Sequence, residues 1–300
     1  MATTTLADLI DPIVWADAVG PHILGKSVMA PLADTDDELV GQPGSTVVFP
    51  RWDYIGDADD LTENVAMSTT TMSMTDSQAV VKEVGKAVEL TDTATLNALG
   101  SPNSQAQQQI ALSVSRKIDA DLRAAAELVE TGTDQQGNSK TWQPLAVPAA
   151  DVPLSWHRLT QGFALLGDEW NPEDMAGILI HSTQHVQLLN DPNFIRRDSF
   201  GEGAVVTRGQ VGMIGGVPVI VSDRATVSTE GTDPDEYESV NALLVRKGAL
   251  ALKYKRRPLV ETDRDILKRT NIITTNAHYA VKRVDDRGVV VVPTNTAAPV

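Results

Sequence analysis

No cysteine occurs in the 300 residues, which excludes a disulfide framework, a thiolate nucleophile and a thiolate metal site, and fits a reducing cytoplasm. No apolar run approaches the length needed to span a membrane. The opening "MATTTLADLI" lacks the basic start and long apolar centre of a signal peptide. Catalytic signatures are missing as well. There is no G-x-S-x-G nucleophile elbow, and "GMIGG" lacks the G-x-G-x-x-G spacing of a dinucleotide site and has strand-like residues on both sides. His181 and His185 have the i, i+4 spacing of a metal pair, but "HSTQH" lacks the metalloprotease glutamate and suggests no third ligand. A strand end followed by a helix capped by Ser182 or Thr183 accounts for that stretch. The residues thus point to no metal, no cofactor and no enzyme.

Positive charge is also scarce. The formal net charge of −15 argues against a protein whose main task is to grip nucleic acid. The charge is unevenly spread. Met1 to Leu99 hold 16 acidic and 4 basic residues, whereas Arg246 to Arg287 hold 12 basic and 5 acidic ones. Local accident on a solvated surface is one reading; two surfaces made to meet is the other. The run "KYKRR" (Lys253 to Arg257) fits a solvated edge or a protein interface better than a nucleic-acid contact.

One stretch fits a strong motif. "GPHILGKS" (Gly20 to Ser27) matches G-x-x-x-x-G-K-[ST], the phosphate loop of nucleotide triphosphatases. That loop needs a strand before it and a helix starting at the Lys-Ser. Here the preceding "DPIVWADAVG" reads as a helix, with Asp11 as cap, Pro12 at the first helical position and Gly20 as the stop. Pro31 would break the helix required after Ser27. The nucleotide-site reading therefore fails on local geometry.

An irregular arm, "APLADTDDELVGQPG", follows, then "STVVFPRW" (Ser45 to Trp52) as a strand and the acidic tract "GDADDLTE" (Gly56 to Glu63). "VAMSTTTMSM" and "AVVKEVGKAVEL" alternate like strands, with a turn expected at Asp76-Ser77. The second has no continuously apolar face, which suits an extended hairpin reaching over something. The segment "SPNSQAQQQIALSVSRKIDADLRAAAELVETG" has Ser101 as cap, Pro102 at the first helical position and Gly132 as stop. Ala106, Ile110, Val114, Ile118, Leu122, Ala125 and Val129 form a narrow stripe along a helix from Pro102 to Thr131, about 45 Å long. Such a helix lies across a sheet, with the rest of its surface free or facing another chain.

Beyond the loop "GTDQQGNSK", a helix with Trp156, Leu159, Phe163 and Leu166 on one side precedes the buried strand "MAGILIHS" and the short helix "TQHVQLLN". "GQVGMIGGVPVIVSD" is a hairpin with a glycine turn, and "GTDPDEYES" an exposed loop. "NALLVRKGALALKYKR" reads as a hairpin turning at Lys247-Gly248, and "TDRDILKR" as a turn of helix with Thr262 and Asp265 at capping-box spacing. Two strands around Asp285-Asp286-Arg287-Gly288 finish an α+β chain with no repeated βαβ unit.

This order of elements, from the arm through "STVVFP" to "KEVGKAVELTD", the long helix, "GMIGGVPVIVSD", "ALLVRKGALAL" and the closing strands, resembles the major capsid proteins of tailed double-stranded-DNA bacteriophages, the Hong Kong 97-type fold. The likeness runs from about Leu6 to Pro293. It implies an N-terminal arm at 1–43, an extended loop at 44–90 lying on a neighbouring subunit, and a peripheral domain with a spine helix at 91–140. It further implies an axial domain at 141–257 and a return to the peripheral domain at 258–300. The implied function is a structural one: pentamers and hexamers of an icosahedral shell enclosing double-stranded DNA, in a virion assembled in the bacterial cytoplasm. Implied partners are further copies of the chain, a portal protein, a separate scaffolding protein, a decoration protein and non-specifically contacted DNA. Some relatives carry a long cleaved scaffolding segment, whereas this chain begins almost directly at the arm. Others cross-link through a lysine in the extended loop, whereas here Lys82 and Lys86 lie on the returning strand and the acidic tip has none. The alternatives are an encapsulin-type nanocompartment shell and the nucleotide triphosphatase set aside above. If the extended loop lies over a neighbour, its tip (Asp57, Asp59, Asp60, Glu63) needs a cationic landing site, and Arg256, Arg257, Arg264, Lys268 and Arg269 are the concentrated candidates.

Overall fold

The computed structural model describes residues 27–37, 39–41, 43–52, 55–58, 60, 66–67, 69–72, 74–97, 102–133, 139–191, 212–223, 227–230 and 237–295. The helix expected at Pro12 to Val19, Gly20 to Lys26 of the phosphate-loop match, the Ser101 cap, Asp59 and Glu63 lie outside them. A 3-10 turn (Ala30–Leu32) leads into β1 (Asp34–Asp36), β2 (Thr46–Trp52), β3 (Met74–Val80), β4 (Lys82–Thr91), α1 (Asp92–Asn97) and α2 (Pro102–Glu127). Next come β5 (Glu130–Thr133), β6 (Ser139–Trp142), β7 (Leu145–Ala146), α3 (Trp156–Leu165), β8 (Met175–Ile180), α4 (Ser182–Asn190), β9 (Met213–Ile214) and β10 (Val217–Val221). The chain continues through β11 (Val227–Glu230), β12 (Tyr237–Arg246), β13 (Leu250–Asp265), β14 (Thr270–Arg283) and β15 (Val289–Asn295).

Two sheets carry the fold. One has the order β1-β13-β14-β4; the other runs β7-β15-β12-β8-β10-β9, with β11 also on β12. The second is covered on one side by α3, whose Leu159 and Phe163 pack with Ile178, Ile180, Leu244, Val290 and Val292. Its strands β8 and β15 are apolar almost residue by residue because both faces are covered. α2 lies across the first sheet. Ile110, Val114, Ile118, Leu122 and Ala126 meet Leu250, Leu252, Tyr254, Ile273, Ala277 and Tyr279, and the same cluster takes in Leu243, Val245 and Val291 of the second sheet. One core therefore runs through both sheets.

The structure corrects several sequence expectations. α2 ends at Glu127, not Thr131, because the buried guanidinium of Arg283 takes the carbonyls of Ala126 and Leu128 and β5 then pairs with β6. The buried seam closes on Ala126, so Val129, expected in the stripe, is exposed. Asp76-Ser77 is no turn: both residues lie inside β3, opposite Pro50 and Phe49 of β2, and residues 66–67 and 69–72 form no strand. Lys247-Gly248 does turn, with Gly248 at φ 76°, but its arms do not pair. β12 stays in the second sheet while β13 joins the first, and β14 and β15 make the reverse crossing. "TDRDILKR" is the tip of the β13–β14 hairpin, because pairing of Thr262 to Asp265 with Thr270 to Ile273 commits those backbones to a ladder. Asp265 Oδ1 closes the tip by accepting from the N–H groups of Leu267 and Lys268. The cap of α4 is His181, not Ser182 or Thr183: its Nδ1 accepts from Thr183 N, and Gln184 Oε1 accepts from His181 N.

Candidate functional site

The hairpin of β2 and β3 is anchored at its root and bare on its outer side. Val47, Phe49 and Ala79 pack on Ala251 and Ala280 of the first sheet, and Lys253 Nζ stands 5.5 Å from the centre of the Phe49 ring. Alternation sends Val48 and Val80 the other way, and Val80 is 68% exposed. Beyond the paired strands, Ile55 to Ala58 and Asp60 are exposed and belong to no helix or strand. Asp57 and Asp60 are thus placed on an open loop.

The structure splits the basic tract into two groups. Arg256 and Arg257 lie where the β13 register slips twice, between Tyr254 and Leu259. The slip turns Arg257 onto Asp37, with Nε and Nη2 at 3.0 and 2.5 Å from its carboxylate. That hydrogen bond holds the Arg257 guanidinium above its ordinary pKa. Lys253 reaches Asp36 at 3.6 Å, Lys255 Nζ donates to Gly44 O, and Arg256 meets Glu261 at 3.3 Å. The "KYKRR" run therefore clamps the chain on its way into the hairpin. Arg264, Lys268 and Arg269 sit together at the β13–β14 tip. Arg264 pairs with Asp92 at 2.8 Å and Lys268 with Asp265 at 3.8 Å, and Arg269 is exposed with φ 55°. Between them the tip lifts Ile266 and Leu267 into solvent, at 80% and 95% exposure. Four of the five cations therefore have carboxylate partners in their own chain.

Three buried polar nodes, none singled out by the sequence reading, fix these elements to α2. Asp119 accepts from Ser27 Oγ at 2.5 Å and from the N–H groups of Val28 and Met29 at 3.0 Å, pinning the end of the arm. Asp121 accepts from Lys82 at 2.6 Å, Tyr279 at 2.6 Å and Lys117 at 3.1 Å, which ties α2 to β4 and β14. Burial pushes the Asp121 carboxyl upward, but the hydrogen bonds from Lys82, Tyr279 and Lys117 outweigh it and hold the group below the usual aspartate range. Arg283 serves the end of α2, Trp142 O and, through Nε at 2.7 Å, Asp286. The available signal was position: Asp119 and Asp121 follow Ile118 within the apolar stripe, where a carboxylate needs donors.

Among the described residues, no group of three His, Asp or Glu residues could hold a metal ion, and no helix is long and apolar enough to cross a membrane. His181 faces Asp223 at 4.0 Å while its other nitrogen caps α4. What the geometry offers is a solid two-sheet body with a projecting hairpin, a pinned arm and an apolar tip.

Comparison with known proteins gives the same picture. The chain is 25% identical over 287 residues to the major capsid protein of Staphylococcus phage phiMR11, covering 94% of this chain and 93% of that one. Among solved structures, the capsid asymmetric unit of Cyanophage Pam1 superposes with a TM-score of 0.70 at 15% identity, covering 91% and 93% of the two chains. A Mycobacterium phage Che8 chain gives 0.64 at 16% identity, covering 91% and 92%. These likenesses show the Hong Kong 97-type capsid fold that the order of elements implied. The phage capsid protein family model matches residues 75–292, and the chain belongs to that family.

Proposed function

We propose that this chain is a phage major capsid protein whose copies close, as pentamers and hexamers, into an icosahedral shell around double-stranded DNA. The observation that carries the reading is the β2–β3 hairpin, held by its inner face while Val48 and Val80 on its outer face, and Ile55 beyond the paired strands, are exposed. A monomer gains nothing from such a projection; a neighbour gives it something to cover. The parts are an arm at 1–43, an extended loop at 44–90, a peripheral domain at 91–140 and 258–300, and an axial domain at 141–257. The chain passes between the two sheets twice, from β12 to β13 and from β14 to β15.

The role is structural and not enzymatic, and the virion is its destination, with assembly in the host cytoplasm. Portal, scaffolding and decoration proteins are the expected partners, and contact with DNA is non-specific, in keeping with the net charge of −15. The acidic loop (Asp57, Asp59, Asp60, Glu63) faces cations of a neighbouring copy. These are Arg256, Arg257, Arg264, Lys268 and Arg269, four of which hold carboxylates of their own chain in exposed pairs weak enough to exchange.

Electron microscopy of purified material tests the reading. Closed shells of uniform diameter that fill with DNA when the packaging machinery is present support it. Small shells filled with a cargo protein would assign the chain to an encapsulin-type compartment, and dispersed monomers would reject both.

A further inference from the structure

We infer that the groove between α3 and residues 147–150 binds a carboxylate and, given the shell reading above, that an acidic side chain of a second copy supplies it. Among the described residues three arginines are buried: Arg123, Arg158 and Arg283. Arg123 holds Glu127 at 3.1 Å, and Arg283 holds Asp286 at 2.7 Å. Arg158 has no carboxylate among the described residues. Its Nη1 donates to Gln161 Oε1 at 3.2 Å, and its Nη2 to Pro148 O at 2.9 Å and Pro293 O at 2.8 Å. These acceptors are all neutral, and Nε, itself buried, donates to nothing. Asp151, the first acidic residue after the 147–150 segment, accepts from Asn295 Nδ2 at 2.5 Å instead. A guanidinium taken out of water without an anion is costly, and burial holds that of Arg158 below its ordinary pKa.

The missing anion has a way in. Arg158 and Gln161 line an open groove of about 390 Å³ whose other walls are residues 147–150, Ala164 and Leu165. Those walls carry valine, proline, alanine and leucine side chains, so the guanidinium is the one charge in a hydrocarbon setting. Such a setting fits a carboxylate on a short apolar stem. Nucleic acid would meet a single cation and hydrocarbon walls, a poor match for a run of phosphates. The chain itself carries carboxylates in excess, with 40 acidic residues against 25 basic ones. In a shell every groove lies among copies with that excess. A carboxylate that reaches Arg158 meets a cation with no competing anion, which favours register as well as attraction.

Gln161 gives an isosteric test. Gln161→Glu puts a carboxylate at the atom that already accepts from Arg158 Nη1, so the chain supplies its own anion. The first measurement uses unassembled chain with butyrate as the probe, followed by NMR of the Ala149, Ala150 and Ala164 methyl groups. Butyrate should shift these signals with millimolar affinity, butyramide should not, and Gln161→Glu should abolish the effect. No response to butyrate, or an equal response to butyramide, would overturn the site. A stronger response to inorganic phosphate would assign the groove to phosphate and refute the inference. The second measurement is assembly. Gln161→Glu should raise the melting temperature of the unassembled chain and yet lower shell yield. Gln161→Ala, which leaves Arg158 without an internal anion, should lower the yield far less. Equal yields from the two variants would overturn the second copy as occupant and leave the shell reading intact. Failure of the unmodified chain to form shells would remove the shell reading and with it the second copy, while the butyrate result still decides the site.

Discussion

Tyr279 donates its phenol hydroxyl to Asp121 Oδ2 at 2.6 Å, joining β14 to α2 at the root of the extended loop. The same carboxylate holds Lys82 of β4, whose ammonium also stands 5.5 Å from the centre of the Tyr279 ring. The two members titrate in opposite directions. Asp121 lies below its ordinary pKa, so its contribution is complete above about pH 4 and fades as the pH falls through its depressed value. Burial first, and then the Asp121 carboxylate, raise the Tyr279 phenol well above its ordinary value. Its contribution is therefore complete below about pH 10 and is lost at higher pH. Thermal melting of the chain across pH should fall at both ends. Tyr279→Phe should lower the melting temperature at pH 7 and flatten the alkaline fall; an unchanged alkaline limb would rule out the phenol as its cause.

Arg283 should be among the costliest positions to truncate. It is almost fully buried and its guanidinium serves the carbonyls of Ala126 and Leu128 at 2.8 and 2.7 Å as well as Asp286 at 2.7 Å. Arg283→Ala strands all of these acceptors and should cost about 3–5 kcal/mol by urea denaturation of unassembled chain. Arg283→Lys keeps the charge but cannot reproduce the fork, and should recover only part of that loss. Full recovery by lysine would mean that charge, not geometry, holds the end of α2.

How much of this was legible in the sequence depends on what each residue competes with. The stripe from Ala106 to Leu122 was readable because steps of four and three leave one apolar face, and that face is the one buried. The turn at Lys247-Gly248 was readable from its glycine, but the destination of its arms was not. Leu243 and Val245 on one side, and Leu250 and Leu252 on the other, are equally apolar, and only three-dimensional packing assigns them to different sheets. Charge was the least legible feature. A count of cations in Arg246 to Arg287 does not reveal that Arg257 is paired with Asp37, 220 residues earlier. The β13 register slip that allows this pairing leaves no periodic signal.

Gly288 marks the place where the two crossings between sheets touch. A Cβ there would stand 2.6 Å from the Ala249 Cβ and 3.1 Å from Asp285 Oδ2. Asp285 is itself bonded to Arg246 at 2.6 Å, and Arg246 N donates to Gly288 O. Gly288→Ala should therefore force the crossings apart and cost about 1–3 kcal/mol, read as a lower denaturation midpoint. Ala249→Gly in the same chain should relieve the clash and recover part of the loss. No recovery would place the strain elsewhere.

Assembled shells should run as monomers after boiling in detergent. The chain has no cysteine, and the tract from Gly56 to Glu63 has no lysine. Lys82, on the returning strand, is committed to Asp121 at 2.6 Å, a poor position for an amine that must attack a neighbour. A ladder of covalent oligomers on a denaturing gel would refute this.

The last prediction concerns Ser27, the final residue of the phosphate-loop match. In a nucleotide site that hydroxyl meets the metal ion and the following N–H groups face phosphate. Here Ser27 Oγ donates to Asp119 at 2.5 Å, and the N–H groups of Val28 and Met29 point at the same carboxylate. The anion seat is filled by the protein's own buried anion. Phosphate would have to displace Asp119, lose those bonds and sit against a like charge. Met29 and Leu32, both buried, pack this segment onto the core, and the turn at Ala30 replaces the helix the motif requires. Isothermal titration should accordingly find no saturable ATP binding, and Lys26→Ala should leave assembly unchanged. Asp119→Asn, which keeps the shape but weakens three charge-assisted bonds, should cost about 1.5–3 kcal/mol of stability without creating a nucleotide site. Micromolar ATP binding that disappears with Lys26→Ala would mean that Asp119 yields its place, and that the motif is more than a coincidence of letters.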